Sequence, residues 1–285
     1  QSAVMGHGNY PKPGRIARPP PARVPGPRRA RMRWRERLAA GHDDLVPHPP
    51  APGPLALVGS GEYLPVMTQT EGLLLQGRPP RYVQLPTAAA PEGEQSLRRW
   101  LDLGAAQAER LGVKQVPVVV RNRAEADSPQ LAALIAGAGL IYLSGGSPTF
   151  LARTLRGTLV WDAILAAWRS GSALAGCSAG AIALTGWVPS MRAPLRTPDP
   201  GLGLLPGLRV LPHFDKMLAW VPDLLTRALM QPPAGTVVLG IDEDTALVDM
   251  TGAAHSWQVH GRQQVWALAD GARRAHPAGT TLATP

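Results

Sequence analysis

Five consecutive residues, Gly176-Cys177-Ser178-Ala179-Gly180, read G-x-S-x-G. A serine in that setting sits on a tight strand-to-helix turn. Small neighbours there admit close backbone approach, and the helix N-terminus offers N–H groups to a developing oxyanion. The same five residues also suit a simple glycine-packed turn, so the surroundings must decide. A serine nucleophile needs a base. From Pro54 onward the histidines are His213, His255, His260 and His276. His255 and His260 flank or lie within a C-terminal hairpin pattern and His276 falls in a polar tail, where structural roles are expected. His213 follows the apolar run Leu208 to Leu211 and Pro212 and opens the next helix, so it belongs at a strand's carboxyl end, as Ser178 does. A third group should be a carboxylate able to hold the imidazole tautomer. Asp242-Glu243-Asp244 directly follows the apolar strand Val237 to Ile241, although a triple acid in a turn reads equally well as a solvated one.

Two glycine-rich loops face the same edge. Gly145-Gly146-Ser147-Pro148-Thr149 precedes a helix, and its N–H groups suit an oxyanion hole or an anion nest. Gly59-Ser60-Gly61-Glu62 is a similar loop after the first strand, either a structural turn or a site-lining segment. Neither G-x-G-x-x-G nor the phosphate-loop Lys-Ser/Thr pattern occurs in the Gly145 loop, so a nucleotide fingerprint is excluded there. The single cysteine, Cys177, excludes an internal disulfide framework and a cysteine-built zinc site, and it suits a reducing cytoplasm. No metal and no organic cofactor is expected.

These loops need a scaffold that brings strand ends together. From Pro54 onward, short apolar runs alternate with helical patterns, as in a parallel sheet covered on both faces. Strands are expected at Leu55 to Val58, Tyr82 to Leu85, Val116 to Val120, Leu140 to Leu143 and Ala173 to Cys177. Helices are expected at Leu64 to Gln76, Gly93 to Leu111, Pro129 to Ala136, Thr149 to Arg156 and Leu159 to Arg169. Ser128-Pro129 and Ser147-Pro148 are helix-start signals. The implied fold is a three-layer α/β/α, doubly wound, mostly parallel sheet, whose sites lie beyond the carboxyl ends of the strands. A helix follows over Phe214 to Met230, then strands near Val237 to Ile241, Thr245 to Asp249, His255 to Val259 and Gln264 to Leu268. His260-Gly261 suits a hairpin turn between the last two.

The 285 residues carry 29 Lys and Arg against 20 Asp and Glu, a net charge of +9. The excess is local: residues 1 to 53 hold ten basic and three acidic residues together with 11 prolines, and the remaining body is only +2. Residues 1–53 therefore read as a disordered Pro/Arg-rich arm, with Arg28 to Ala40 as its one helical run, and residues 54–285 as the folded domain. With 45% apolar residues the chain as a whole cannot be disordered. The arm lacks the apolar stretch of a secretory signal, so export is not expected. Ser170 to Met191 is uncharged and long enough to span a bilayer, but its Gly, Ser, Thr and Pro content favours a buried strand-turn-helix, and no membrane partner is expected.

Taken together, the stretches LVGSGEYLP (57 to 65), YLSGGSPTFLARTL (142 to 155), LAGCSAGAIAL (174 to 184), LPHFDKM (211 to 217) and GIDEDTALV (240 to 248) resemble the cyanophycinase and peptidase E (aspartyl dipeptidase) family of serine peptidases. That family has the class I glutamine amidotransferase-like, flavodoxin-like fold, here with C-terminal antiparallel strands. The resemblance implies Ser178 as nucleophile, His213 as base and Glu243 as the acid orienting it. It implies oxyanion donors at the backbone of Gly146 and Ala179, and substrate-lining roles for Gly59, Ser60, Gly61, Glu62, Gly145 and Ser147. It further implies cleavage of a small peptide or amide through an acyl-enzyme, and a homodimer. Glutamine amidotransferases carry cysteine at the centre of the elbow; here Cys177 precedes it and is expected to pack. The sequence departs from the family where specificity is decided: Lys216 is the only base between His213 and Arg227, so recognition of an acidic substrate by a guanidinium fork is not supported. A non-catalytic member of the same fold and nucleic-acid association through the basic arm stand as alternatives, although the near-neutral body offers nucleic acid little.

Overall fold

Leu55–Val58 is an unbroken apolar tetrapeptide buried along its whole length, as a strand covered on both faces must be. Alternation divides it: Leu55 and Leu57 point into one hydrophobic cluster, Ala56 and Val58 into another on the opposite face. This strand, β1, is the centre of a computed structural model that describes residues 51–189, 197–220, 235–269 and 272–284. The next four strands are β2 (Arg81–Leu85), β3 (Lys114–Pro117), β4 (Leu140–Leu143) and β5 (Ala173–Cys177). They pair in parallel in the order β3-β2-β4-β5-β1. Helices Thr68–Leu75 and Glu94–Arg110 supply Leu74, Leu75 and Ala108 to one face. Helices Pro148–Leu155 and Leu159–Arg169 supply Leu151, Leu155 and Ile164 to the other. The architecture is therefore three-layered α/β/α.

After β6 (Trp187–Val188) and β7 (Asp199–Pro200), which form a short ribbon, the chain builds a second sheet. Strands β8 (Leu208–Pro212) and β9 (Val237–Ile241) pair in parallel within it. Strands β10 (Thr245–Asp249) and β11 (Ser256–Gly261) return to the main sheet, β10 running antiparallel to β1 with Leu57 opposite Leu247. Strands β12 (Gln264–Ala269) and β13 (Ala272–Pro277) go back to the second sheet, and β14 (Thr281–Ala283) closes the main one. The final orders are β14-β11-β10-β1-β5-β4-β2-β3 and β13-β12-β9-β8.

Two expectations need correction. His260-Gly261 does not turn a hairpin between β11 and β12: Gly261 does adopt a positive φ of 102°, but β11 pairs with β10 and β14 while β12 pairs with β9 and β13. The chain uses Arg262 and Gln263 to cross between sheets. His276 lies in β13 opposite Val265, not in a polar tail. Smaller differences concern ends. The third strand starts earlier than its apolar run because Lys114 and Gln115 pair with β2. Residues 65–75 split into a 3₁₀ turn, Pro65–Met67, and the helix Thr68–Leu75. Both Ser-Pro starts cap as their chemistry dictates: Ser128 Oγ accepts from Leu131 N–H and Ser147 Oγ from Phe150 N–H, each at 3.3 Å.

The uncharged stretch from Ser170 is β5, a turn, helix Ala179–Leu184 and β6; among the described residues no helix is long and apolar enough to cross a membrane. Of the helix expected over 214–230, Phe214–Trp220 is described and the remainder lies outside the described residues. The expected arm lies outside them too, save for its last three residues. Of these, Gly53 is already fastened: its N–H donates to Trp168 O and its carbonyl accepts from Trp168 Nε1, both at 2.8 Å.

One buried polar group stands out on the face of helix Thr68–Leu75. The Glu71 carboxylate is 1% exposed, and its Oε2 accepts from Tyr82 OH at 2.9 Å and Gln107 Nε2 at 2.8 Å. These neutral donors offset only part of the desolvation, and burial pushes the pKa up to about 7.

Candidate active site

Ser178 stands at the carboxyl end of β5, on the first step into helix Ala179–Leu184. Its φ of 49° with ψ of −106° is costly for a residue bearing Cβ. The turn is held by Ser178 N–H donating to Val58 O at 2.9 Å and by backbone approach too close for side chains. A Cβ on Gly176 would lie 2.6 Å from the Gly180 carbonyl carbon, and one on Gly180 would lie 2.3 Å from Leu143 O. The outer residues of G-x-S-x-G are thus glycine because β4, β5 and the helix touch backbone to backbone.

His213 follows β8 and Glu243 follows β9, so the parallel pairing of these strands brings the two residues side by side. His213 Nε2 lies 3.0 Å from Ser178 Oγ and His213 Nδ1 lies 3.1 Å from Glu243 Oε1. A carboxylate at Nδ1 fixes the proton there and leaves the Nε2 lone pair facing the serine hydroxyl. His213 too has a positive φ, 50°. Its neighbour Phe214 is fully buried over Gly240, where a Cβ would lie 2.4 Å from the ring, so the absence of a side chain on β9 is what seats the helix start carrying His213.

Sequence reasoning missed Asp215 and Gln263. Asp215 Oδ1 accepts from Glu243 N–H at 3.0 Å, and its Oδ2 accepts from Gln263 Nε2 at 3.2 Å. Gln263 Nε2 also donates to Glu243 O at 3.1 Å. The two other acids of the triple have separate partners. Asp242 accepts from Trp266 Nε1 at 3.0 Å, and desolvation raises its pKa. Asp244 N–H donates to Ser60 Oγ at 3.3 Å. The only signal for Asp215 is an acid in the first helical turn, which says nothing about Glu243 twenty-eight residues away.

Gly145 and Gly146 follow β4 beside Ser178. Among the described residues neither Gly146 N–H nor Ala179 N–H donates to a protein acceptor. Glu62, expected to line the substrate, is instead turned inward: only 7% exposed, it accepts from Gly145 N–H at 2.9 Å through Oε1 and from Cys177 Sγ at 2.8 Å through Oε2. Cys177 is fully buried, and burial, with the Glu62 charge beside it, drives its thiol pKa well upward. Ser147 caps its helix, and Gly59 is packed on Asp242, where a Cβ would lie 2.1 Å from the carbonyl oxygen.

A cavity of about 460 Å³ opens at Ser178, His213 and Glu243. Its walls are Pro148, Ile182, Pro189, Leu211, Pro212 and Met217, with Gly146 and Ala179 completing the lining. Gly59, Ser60, Gly61, Glu62, Gly145 and Ser147 do not line it.

The model of peptidase family S51 matches residues 55–256. A solved structure, that of a peptidase from an acI-B1 Actinobacterium, is 40% identical with a TM-score of 0.77, and the match covers 83% of this chain and 98% of that one. The structure of a putative peptidase E protein from Listeria monocytogenes EGD-e is 20% identical with a TM-score of 0.53, covering 75% of this chain and all of that one; at this identity the likeness is one of fold. No curated protein matches. With the family model spanning both glycine loops, the elbow and the His and Glu segments, the chain belongs to peptidase family S51, a family of serine peptidases.

Proposed function

We propose that Ser178, His213 and Glu243 are the catalytic triad of this peptidase and that it cleaves a small peptide or amide through an acyl-enzyme. The observation carrying this is the continuous relay from Ser178 Oγ through His213 to Glu243, at 3.0 and 3.1 Å, on a serine held at positive φ. His213 Nε2 takes the hydroxyl proton as Ser178 Oγ attacks the scissile carbonyl, and Glu243 stabilises the resulting imidazolium. The N–H groups of Gly146 and Ala179 receive the oxyanion. His213 then returns the proton to the departing amine, and water, deprotonated by the same nitrogen, releases the acyl group. The reading assigns all of this to residues 54–285 and none to residues 1–53. The test is labelling with a fluorophosphonate, mapped by mass to Ser178, alongside peptide hydrolysis by the full chain. Labelling at Ser178 and loss of hydrolysis in Ser178→Ala are expected; an unlabelled Ser178, or hydrolysis that survives the substitution, removes it from the mechanism.

A further inference from the structure

The cavity beside Ser178 is unlike one built for a charged substrate. Among the described residues its six walling side chains are all apolar, and the ionisable groups reaching it are His213 and Glu243, already engaged with each other. No Lys or Arg lines it among the described residues, and Lys216, next to Met217, is exposed. An acidic side chain placed here would lose its water with no cation among the described residues to replace it, and would face the Glu243 carboxylate. A basic side chain would have to draw Glu243 away from His213. An apolar side chain meets neither penalty and gains burial. Three of the walls are prolines, whose fixed φ gives the cavity a shape that binding need not create. The volume falls in the range that holds small ligands, enough for one side chain and its peptide group and too little for a folded loop.

We propose that this cavity is the subsite for the side chain on the acyl side of the scissile bond, and that it selects an apolar residue there. The acyl carbon remains bonded to Ser178 Oγ after the amine has left, so the side chain next to it is the one that stays beside Ser178 and can occupy a cavity opening on that atom. This rests on the reading of Ser178 as the nucleophile.

The experiment separates the two. Ala-X diphenyl phosphonates, with X presenting the side chain of Leu, Met, Phe, Ala, Asp or Lys, react by attack of Ser178 Oγ on phosphorus with loss of phenol. The second-order inactivation rate is measured for each on the full chain, next to a plain fluorophosphonate that does not depend on the cavity. Leu, Met and Phe probes should react about 100-fold faster than Asp and Lys probes. In Ile182→Phe, which fills the cavity, the preference should move toward Ala by about tenfold; should that variant not fold, the wild-type series decides alone. Equal or faster reaction of the Asp or Lys probes, with the plain fluorophosphonate still labelling Ser178, overturns the apolar subsite and leaves the nucleophile standing. No labelling by either class of reagent overturns both.

Discussion

The two sheets contribute to the site in different ways. The main sheet supplies Ser178 and the Gly145-Gly146 loop, backed by Glu62 and Cys177, which are 7% and 0% exposed. The second sheet supplies His213 and Glu243, whose side chains are 40% and 34% exposed and whose support, Asp215 and Gln263, is only half-buried. The proposed nucleophile, Ser178, is backed by packed groups, and the proposed base, His213, is held by hydrogen bonds near solvent. An attacking atom must stand in one place relative to its oxyanion donors, whereas an imidazole must exchange a proton between two partners, and the difference in burial follows that division of labour.

The contrast can be broken first at the chemistry. Replacing Ser178 or His213 by Ala should each lower kcat by about 10⁴-fold or more, and the double variant should be no worse than either alone, because the two act as one unit. Multiplying losses in steady-state assays would mean they act separately. Glu243→Gln, which keeps the shape but no longer holds the tautomer, should cost about 10³-fold in kcat with little change in KM.

Below the proposed catalytic groups the two halves should diverge. Glu62→Ala leaves Gly145 N–H without its acceptor and should lose about 1–3 kcal/mol in urea unfolding, with a fall in kcat of about tenfold as the loop bearing Gly146 shifts. Glu62→Gln, whose carbonyl can still accept, should restore most of both. Asp215→Ala in the half-buried region should lower kcat less than tenfold and stability by under about 1 kcal/mol. Equal stability losses for the Glu62 and Asp215 variants would remove the distinction between a packed half and a solvated one.

The smallest effect on activity is expected from Glu71, on the far side of the main sheet from helix Pro148–Leu155. Its folded pKa, about 7, is raised from the ordinary 4.5, so its contribution to stability is complete below pH 4.5 and is lost as the pH rises to about 7, amounting to ~3 kcal/mol. Urea midpoints of the wild type should decline across that window, and Glu71→Gln should flatten the decline while leaving kcat close to wild type.

Strands such as Leu140–Leu143, apolar on both faces, and helices announced by Ser128 or Ser147 could be read in the sequence because their causes are local. Ser178, His213 and Glu243 could be picked out because each follows an apolar run, and a parallel sheet gathers such ends at one edge. What could not be read depends on pairing between distant segments. Gly261 does take the positive φ that its type invites, but whether the next strand joins β11 or β9 is decided by side chains elsewhere. Glu62 reads as a polar loop residue until Gly145 and Cys177 close over it.

The path of the chain after β8 has a consequence for how the molecule comes apart. From Leu208 onward it passes from the second sheet to the main one at β10, back at β12, and out again at β14. No single cut in this stretch frees one sheet from the other, and drawing them apart would pull strands out of both. The two sheets are therefore joined by three crossings in this stretch, and unfolding of either one is expected to take the other with it in one cooperative step.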